Sequence, residues 1–346
     1  MIRILIADDS LLTRTVIRDI LDRDPELEIV GEVTDGRQAV DAARSLRPDL
    51  IIMDVMMPVL DGLDATTEIM SETPTPILIL SANVDPQSSR NAFQAIRLGA
   101  LDVLEKPKGL GTEAFEPLAR TLLSRIHMLS RIRVMTHHRR ATRPAARQST
   151  TCLPAKATAR TLLAIGASTG GPKAVMHLLN QLPQRGASIL IVQHIAAGFA
   201  EGFAAWLDND SPWKVRIACD GDRLEPGVAL VAPCRQHLII AQGRVCLTDS
   251  PPVNSCRPSV DELFHSIVRD GRGTQTTAVI LTGMGNDGAN GLAALKAAGA
   301  CCLAQDEESC AVFGMPRVAI ERDAVDMVLP LTDMPHLIAE ILAPKG

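Results

Sequence analysis

The chain has 346 residues, enough for two domains with separate cores, and carries a formal net charge of −5. No apolar run approaches the ~18 residues needed to span a bilayer, which excludes a helical membrane protein. Its eight Cys show neither a CxxC pair nor a metal-ligand spacing, which argues against a disulfide scaffold or zinc module.

The first third alternates short apolar runs with helical patterns. Ile2 to Ala7, Ile29 to Val33, Leu50 to Met53, Ile77 to Leu80 and Val103-Leu104 are expected to be strands. Leu11 to Asp22, Gly36 to Ser45, Gly62 to Met70 and Ser88 to Leu98 are the intervening helices. This alternation implies βαβ units, here a doubly wound α/β domain of flavodoxin-like order with its site at the carboxyl ends of the strands. Asp8, Asp9 and Asp54 all fall at such ends, where they repel one another unless a cation neutralises them. Hard carboxylate oxygens suit Mg²⁺. One carboxylate can then attack a phosphoryl donor while Lys106 compensates charge and Ser81 hydrogen-bonds the new phosphoryl oxygen. The plainer reading of Asp9-Ser10, a helix N-cap, does not account for Asp54, Ser81 and Lys106 at three further strand ends.

The motifs Ile6-Ala7-Asp8-Asp9-Ser10, Met53-Asp54-Val55-Met56-Met57-Pro58, Leu80-Ser81-Ala82 and Glu105-Lys106-Pro107 resemble those of response-regulator receiver domains. The resemblance implies a receiver over residues 1–122. Asp54 would be the phosphate acceptor, Asp8 and Asp9 would serve Mg²⁺, and the Met56 carbonyl would complete the protein ligands. In the family an aromatic switch residue stands three positions before the lysine. Here that position is Val103, so relay through an aromatic rotamer has no side chain to carry it at this place.

From Pro117 to Arg160 the chain holds ten Lys or Arg, three His and no Asp or Glu, leaving 25 basic against 40 acidic residues elsewhere. Glu116 to Val134 can continue as a helix, and residues 123–158 are expected to form a basic flexible linker. With no aromatics for base stacking, the segment suits loose docking on acidic surfaces better than nucleic-acid binding.

A second alternation occupies residues 159–346. Strands are expected at Leu162 to Ile165, Ser188 to Val192, Val228 to Ala232, Leu238 to Ala241, Ala278 to Leu281, Cys301 to Ala304 and Met327 to Leu329. Helices fit Lys173 to Gln181, Phe199 to Asp208, Val260 to Arg269, Ala289 to Ala298, Pro316 to Ala319 and Met334 to Leu342. Ser168 sits on a tight strand-to-helix turn, as the exposed nucleophile of an α/β hydrolase does. A serine needs an imidazole to take its proton and a carboxylate to orient that imidazole. His194, after the apolar strand Ile189-Leu190-Ile191-Val192, projects from the same sheet edge, and His237 is the rival base. Asp287 lies in the glycine-rich turn after Val279-Ile280-Leu281, beside backbone N–H groups suited to an oxyanion. From spacing alone, the three residues fit a triad and a set of capping residues equally well. The order Ser, His, Asp disfavours a lipase-like esterase.

Ile165 to Pro172 (IGASTGGP), Val192-Gln193-His194, Arg257-Pro258-Ser259-Val260-Asp261, Leu281 to Gly291 (LTGMGNDGANG), Ala304-Gln305-Asp306 and Phe313-Gly314-Met315-Pro316 resemble the CheB family of chemotaxis protein-glutamate methylesterases. That resemblance implies a parallel-sheet hydrolase domain with nucleophile Ser168, base His194 and orienting acid Asp287. It further implies Met284 and His194 backbone N–H groups as oxyanion donors. The implied reaction releases methanol from glutamate γ-methyl esters on chemoreceptor helices, with deamidation of receptor glutamines, and uses no cofactor for ester hydrolysis. A chemotaxis-type histidine kinase would be the phosphodonor, and the receiver would cover the hydrolytic face until Asp54 is phosphorylated. A phosphorylation-controlled binding protein with an inactive hydrolase domain is the alternative; a DNA-binding regulator is weaker, since no helix-turn-helix is evident. The protein is expected to be cytoplasmic, with no membrane insertion. His194-Ile195-Ala196-Ala197-Gly198-Phe199 lacks the family's proline after the histidine. Phe199, Phe203 and Trp206 that follow read as a core face or as a receptor-selecting edge.

Overall fold

Every residue of the strand Leu50–Asp54 is buried, as the central position of a parallel sheet covered on both faces requires. The computed structural model describes residues 1–82, 86–107, 115–132, 134, 160–184 and 186–342, with the backbone alone at 86–89. The first sheet consists of β1 (Ile2–Ala7), β2 (Leu27–Val33), β3 (Leu50–Asp54), β4 (Ile77–Ser81) and β5 (Asp102–Glu105). All pairings are parallel in the order β2-β1-β3-β4-β5, which is the flavodoxin-like arrangement. Helices α1 (Leu11–Leu21), α2 (Gly36–Leu46), α3 (Gly62–Glu72), α4 (Pro86–Leu98) and α5 (Phe115–Leu129) cover its two faces.

The end of this domain lies beyond residue 122. Helix α5 runs on to Leu129, and its Leu122, Ile126 and Leu129 are buried in the same cluster as Ile4, Ile52 and Leu78. Their spacing keeps one apolar face turned to the sheet, so cutting at 122 would remove part of the core. Most of the expected linker, residues 133 and 135–159, lies outside the described residues.

The second domain has seven parallel strands in the order β14-β13-β12-β6-β7-β9-β8. They are β6 (Leu162–Ala167), β7 (Ser188–Gln193), β8 (Lys214–Ile217), β9 (Val228–Val231), β12 (Thr276–Ile280), β13 (Cys301–Gln305) and β14 (Met327–Leu329). Helices α6 (Gly171–Gln181), α7 (Ala200–Asp210), α8 (Val260–Arg269), α9 (Ala289–Ala297), α10 (Met315–Glu321) and α11 (Met334–Leu342) accompany them. The edge strand β8 was not apparent in the sequence because its apolar residues alternate with Lys214 and Arg216 over only four positions. The expected strand near Leu238 is not part of this sheet. As β10 (His237–Ala241) it pairs antiparallel with β11 (Arg244–Thr248) in a separate hairpin. The two-residue turn Gln242-Gly243 has positive φ at both positions (52° and 74°), the geometry that closes a tight hairpin.

The two domains share an apolar boundary. Phe93 of α4 packs against Phe199, Phe203 and Trp206 at the start of and along α7, with ring centroids 5.6–6.5 Å apart. All four rings are buried. These α7 aromatics therefore face the first domain, and are neither a purely internal core face nor an exposed edge. Arg97 and Asp210 pair at 3.1 Å beside them, and Trp206 Nε1 donates to the same carboxylate. Among the described residues, no helix is long and apolar enough to cross a membrane.

Candidate active site

The first domain's acidic residues meet at one rim. Asp8 follows β1, Asp54 ends β3, and carboxylate oxygens of Asp8, Asp9 and Asp54 all lie within 4.8 Å of one another. Lys106, just past β5, places Nζ 2.8 Å from both Asp8 Oδ2 and Asp54 Oδ2. Ser81 ends β4, is buried, and its carbonyl accepts the Lys106 amide. Burial pushes the Asp54 carboxyl up despite the Lys106 ammonium and the Met56 amide, which pull it down. Met56 itself is 65% exposed at the mouth. Two buried carboxylates and the exposed Asp9, mutually repelling hard oxygens, are the donor set that a small divalent cation such as Mg²⁺ satisfies.

The hydrolytic candidates come from three adjacent central strands. Ser168 follows β6, His194 follows β7 and Asp287 lies in the loop after β12. The chain runs from β6 outward to β7 and later returns to β12 on the other side, so the three loops surround the topological switch point. The turn 168–171 is shaped by its glycines: Gly170 has φ +75°, and a Cβ on the neighbouring-loop Gly283 would lie 2.7 Å from Ser168 Cβ. The Ser168 amide donates to Thr282 O at 3.0 Å, tying the Ser168 turn to the Asp287 loop. Gln193 Nε2 donates to the Ser168 and His194 carbonyls, at 2.7 and 3.0 Å, tying it to the His194 loop as well.

Asp287 is held by five hydrogen bonds. Oδ1 accepts from Ser259 Oγ (2.7 Å), Asn254 Nδ2 (3.0 Å) and the Asp261 amide (3.2 Å). Oδ2 accepts from the Val260 amide (2.7 Å) and lies 2.9 Å from His194 Nε2. The carboxylate thus sits on the N-terminus of α8, where free backbone donors and the helix dipole favour negative charge. Burial opposes ionisation, but His194, Asn254 and Ser259 outweigh it and hold the carboxyl at about 2. Burial likewise opposes a charged imidazole, yet the bond to Asp287 and the neighbouring Cys256 raise His194 to about 9. Ser259, Asn254 and Cys256 were missed in the sequence as members of this site. The signal available was Ser259 as N-cap of α8 within the motif Arg257 to Asp261.

His194, Cys256 and Asp287 also present ligand-type atoms within 4.8 Å of one another. The carboxylate is taken up on Nε2, however, while Cys256 Sγ lies 3.8 Å from Nδ1 at the other side of the ring. The contact at Nε2 orients the imidazole.

Three expectations require correction. His237 is fully buried, with Nδ1 accepting the Ser259 amide at 3.2 Å and Nε2 at 3.2 Å from Pro251 O, so it buttresses the N-cap and cannot serve as the base. The His194 amide donates to Ala167 O at 2.9 Å, which removes it as an oxyanion donor in this conformation. The Met284 amide has no protein acceptor among the described residues and lies on a 46% exposed residue. Finally, Ser168 is not exposed: it is 3% accessible, and no hydrogen bond joins it to His194 among the described residues. Side chains of the N-terminal domain reach the neighbouring residues of the same loops. Asp102 at the start of β5 interacts with Thr169, and Ser124 of α5 touches Met284 Sδ at 3.5 Å. A cleft of about 540 Å³ remains, walled by Lys106 and Arg125 on one side and His194, Cys256 and Arg257 on the other.

Residues 163–338 match the family model described as CheB methylesterase, and residues 4–112 match the response regulator receiver domain. A protein-glutamate methylesterase/protein-glutamine glutaminase of Anaeromyxobacter dehalogenans is 43% identical over 98% of this chain and 97% of its own length. Protein-glutamate methylesterase/protein-glutamine glutaminase 4 of Myxococcus xanthus is 41% identical over 100% of this chain and 98% of its own length. The crystal structure of the Thermotoga maritima CheB methylesterase catalytic domain superposes with a TM-score of 0.50 at 36% identity, covering 53% of this chain and 100% of that one. Fold, domain order and near full-length similarity together mean that the chain belongs to the CheB methylesterase family, with an N-terminal receiver domain.

Proposed function

We propose that this chain is a phosphorylation-activated protein-glutamate methylesterase that also deamidates glutamine, acting on methylated chemoreceptor helices. The observation that carries the reading is the meeting of Ser168, His194 and Asp287 at adjacent ends of β6, β7 and β12, with His194 Nε2 2.9 Å from an ionised Asp287. Because Nε2 is committed to the carboxylate, Nδ1 is the nitrogen that takes the Ser168 proton. Ser168 Oγ attacks the ester carbonyl carbon, and the Met284 amide stabilises the oxyanion. The proton returns from Nδ1 to the departing methoxy oxygen, releasing methanol and leaving an acyl-serine. Water, deprotonated by the same nitrogen, then frees the glutamate and restores the serine. With a glutamine side chain the leaving group is ammonia.

For the switch, Asp8, Asp9 and Asp54 with the Met56 carbonyl would hold Mg²⁺, which supplies charge neutralisation during phosphoryl transfer. Asp54 attacks the phosphorus of the donor, a chemotaxis-type histidine kinase or a small acyl phosphate. Lys106, now bridging Asp8 and Asp54, turns to the new phosphoryl oxygens, and Ser81 donates to one of them. This rearrangement at β4 and β5 loosens the α4–α7 contact and uncovers Ser168. A few kcal/mol of interface energy suffices, since each ~1.4 kcal/mol changes the open population tenfold. Release of labelled methanol from methylated receptor membranes tests the reading: Ser168→Ala abolishes it, and acetyl phosphate with Mg²⁺ stimulates the wild type.

A further inference from the structure

Catalysis as proposed needs His194 Nδ1 to face Ser168, yet that nitrogen has another neighbour. Cys256 Sγ lies 3.8 Å from Nδ1, and no hydrogen bond joins the ring to Ser168 among the described residues. Nε2 cannot substitute, because Asp287 occupies it. Thiol and hydroxyl therefore compete for one nitrogen.

The sulfur is held firmly in place. Val253 and Cys256 exchange both backbone hydrogen bonds, 3.1 and 2.8 Å, across a tight turn whose central residues Asn254 and Ser255 have φ of 50° and 62°. Asn254 Nδ2 donates from the same turn to Asp287 Oδ1 and to Asp261 Oδ2. One four-residue turn thus holds both the carboxylate on one side of the imidazole and the thiol on the other. It also forms the wall of the interdomain cleft that faces Leu104, Lys106 and Arg125 of the receiver. When the receiver leaves, the surroundings of this turn change directly.

We propose that Cys256 is a positioning residue that keeps the closed enzyme idle: its thiol engages His194 Nδ1 and withholds the imidazole from Ser168 until the receiver is displaced. The inference rests on the Ser168, His194 and Asp287 assignment above. A sulfur–nitrogen contact is a weak hydrogen bond, so the effect is a bias of a fewfold and not a block.

The test uses full-length wild type, Cys256→Ala and Cys256→Ser, assayed for methanol release from methylated receptor membranes across pH, with and without acetyl phosphate and Mg²⁺. Cys256→Ala is expected to raise the unstimulated rate about threefold and to move the pH midpoint of that rate down. The charged groups that also face His194 from the cleft walls, Glu105, Lys106, Arg125, Arg235 and Arg257, are the same in all three proteins, so the difference reports the thiol. Cys256→Ser keeps a donor beside Nδ1 and should return the unstimulated rate toward wild type while leaving the midpoint low. The midpoint does not depend on how much enzyme is folded, so a poorly folding variant still gives an answer. An unstimulated rate and a midpoint both unchanged in Cys256→Ala, or a lower rate at an unchanged midpoint, would overturn the proposal and leave Cys256 as packing. Ser168→Ala is run alongside: persistent release there would remove the hydrolytic assignment itself, whatever Cys256 does.

Discussion

Phe93 of the receiver stacks on Trp206 of the catalytic domain with ring centroids 5.6 Å apart and planes 14° from parallel. Helix α7, which carries Trp206, starts directly after Phe199, five residues past His194. The aromatic contact therefore joins the receiver to the loop bearing the proposed base. Val103 is small and buried, so with the aromatic absent there, Phe93 is the receiver ring placed to transmit a shift of α4. Phe93→Ala should raise unstimulated methanol release about tenfold, the result of removing ~1.4 kcal/mol from the closed state. It should also narrow the gap between unstimulated and acetyl-phosphate-stimulated rates. Comparing the two rates in one assay checks both.

The proposed switch acts through Asp54, whose buried carboxylate is paired with Lys106 at 2.8 Å. Asp54→Asn removes the phosphate acceptor while preserving shape. Its rate should stay at the unstimulated level when acetyl phosphate and Mg²⁺ are added. A wild-type response in this variant would exclude Asp54 as the acceptor.

The pH dependence has a defined sign. His194 must be neutral to accept a proton, and in the closed enzyme it is raised from 6.5 to about 9. The unstimulated rate should therefore climb through neutral pH toward a midpoint near that value. For stability the same raised value means a contribution fully present below about 6.5 and lost as pH rises through about 9. Asp287, lowered from 3.8 to about 2, contributes stability above about 3.8 that is lost as pH falls through about 2. Rate–pH profiles and thermal melts across pH measure both.

Ser259 does two jobs: Oγ donates to Asp287 Oδ1 and accepts the Glu262 amide as N-cap of α8. Ser259→Ala loses a hydrogen bond to a charged group, worth ~1.5–3 kcal/mol, so kcat should fall at least tenfold with little change in KM. The lost cap should lower stability by about 1 kcal/mol, readable as a shifted denaturation midpoint.

Much of this architecture was legible in the residues. Continuous apolar runs such as Ile189 to Val192 announced buried parallel strands, and with them the strand-end positions of Ser168 and His194, while Asp287 was assigned as their partner only by the family resemblance. Less visible was anything depending on contacts remote in sequence. The turn 253–256 reaches positive φ at Asn254 and Ser255 without a glycine to mark it, so the position of Cys256 against His194 had no local signal. The amphipathic face of α7 showed that Phe199, Phe203 and Trp206 would be covered, but periodicity cannot say which domain does the covering. The half-charged edge strand Lys214–Ile217 was obscured for a similar reason, and the helix through Leu129 was legible while the burial of its last turns in the first domain's core was not: a short or strongly basic segment declares its burial only through its partner.

The most direct measurement is methanol release from methylated receptor membranes by wild type and Ser168→Ala, each with and without acetyl phosphate and Mg²⁺. The account predicts a stimulated signal from the wild type and none above background from Ser168→Ala under either condition. Undiminished release by Ser168→Ala would contradict it.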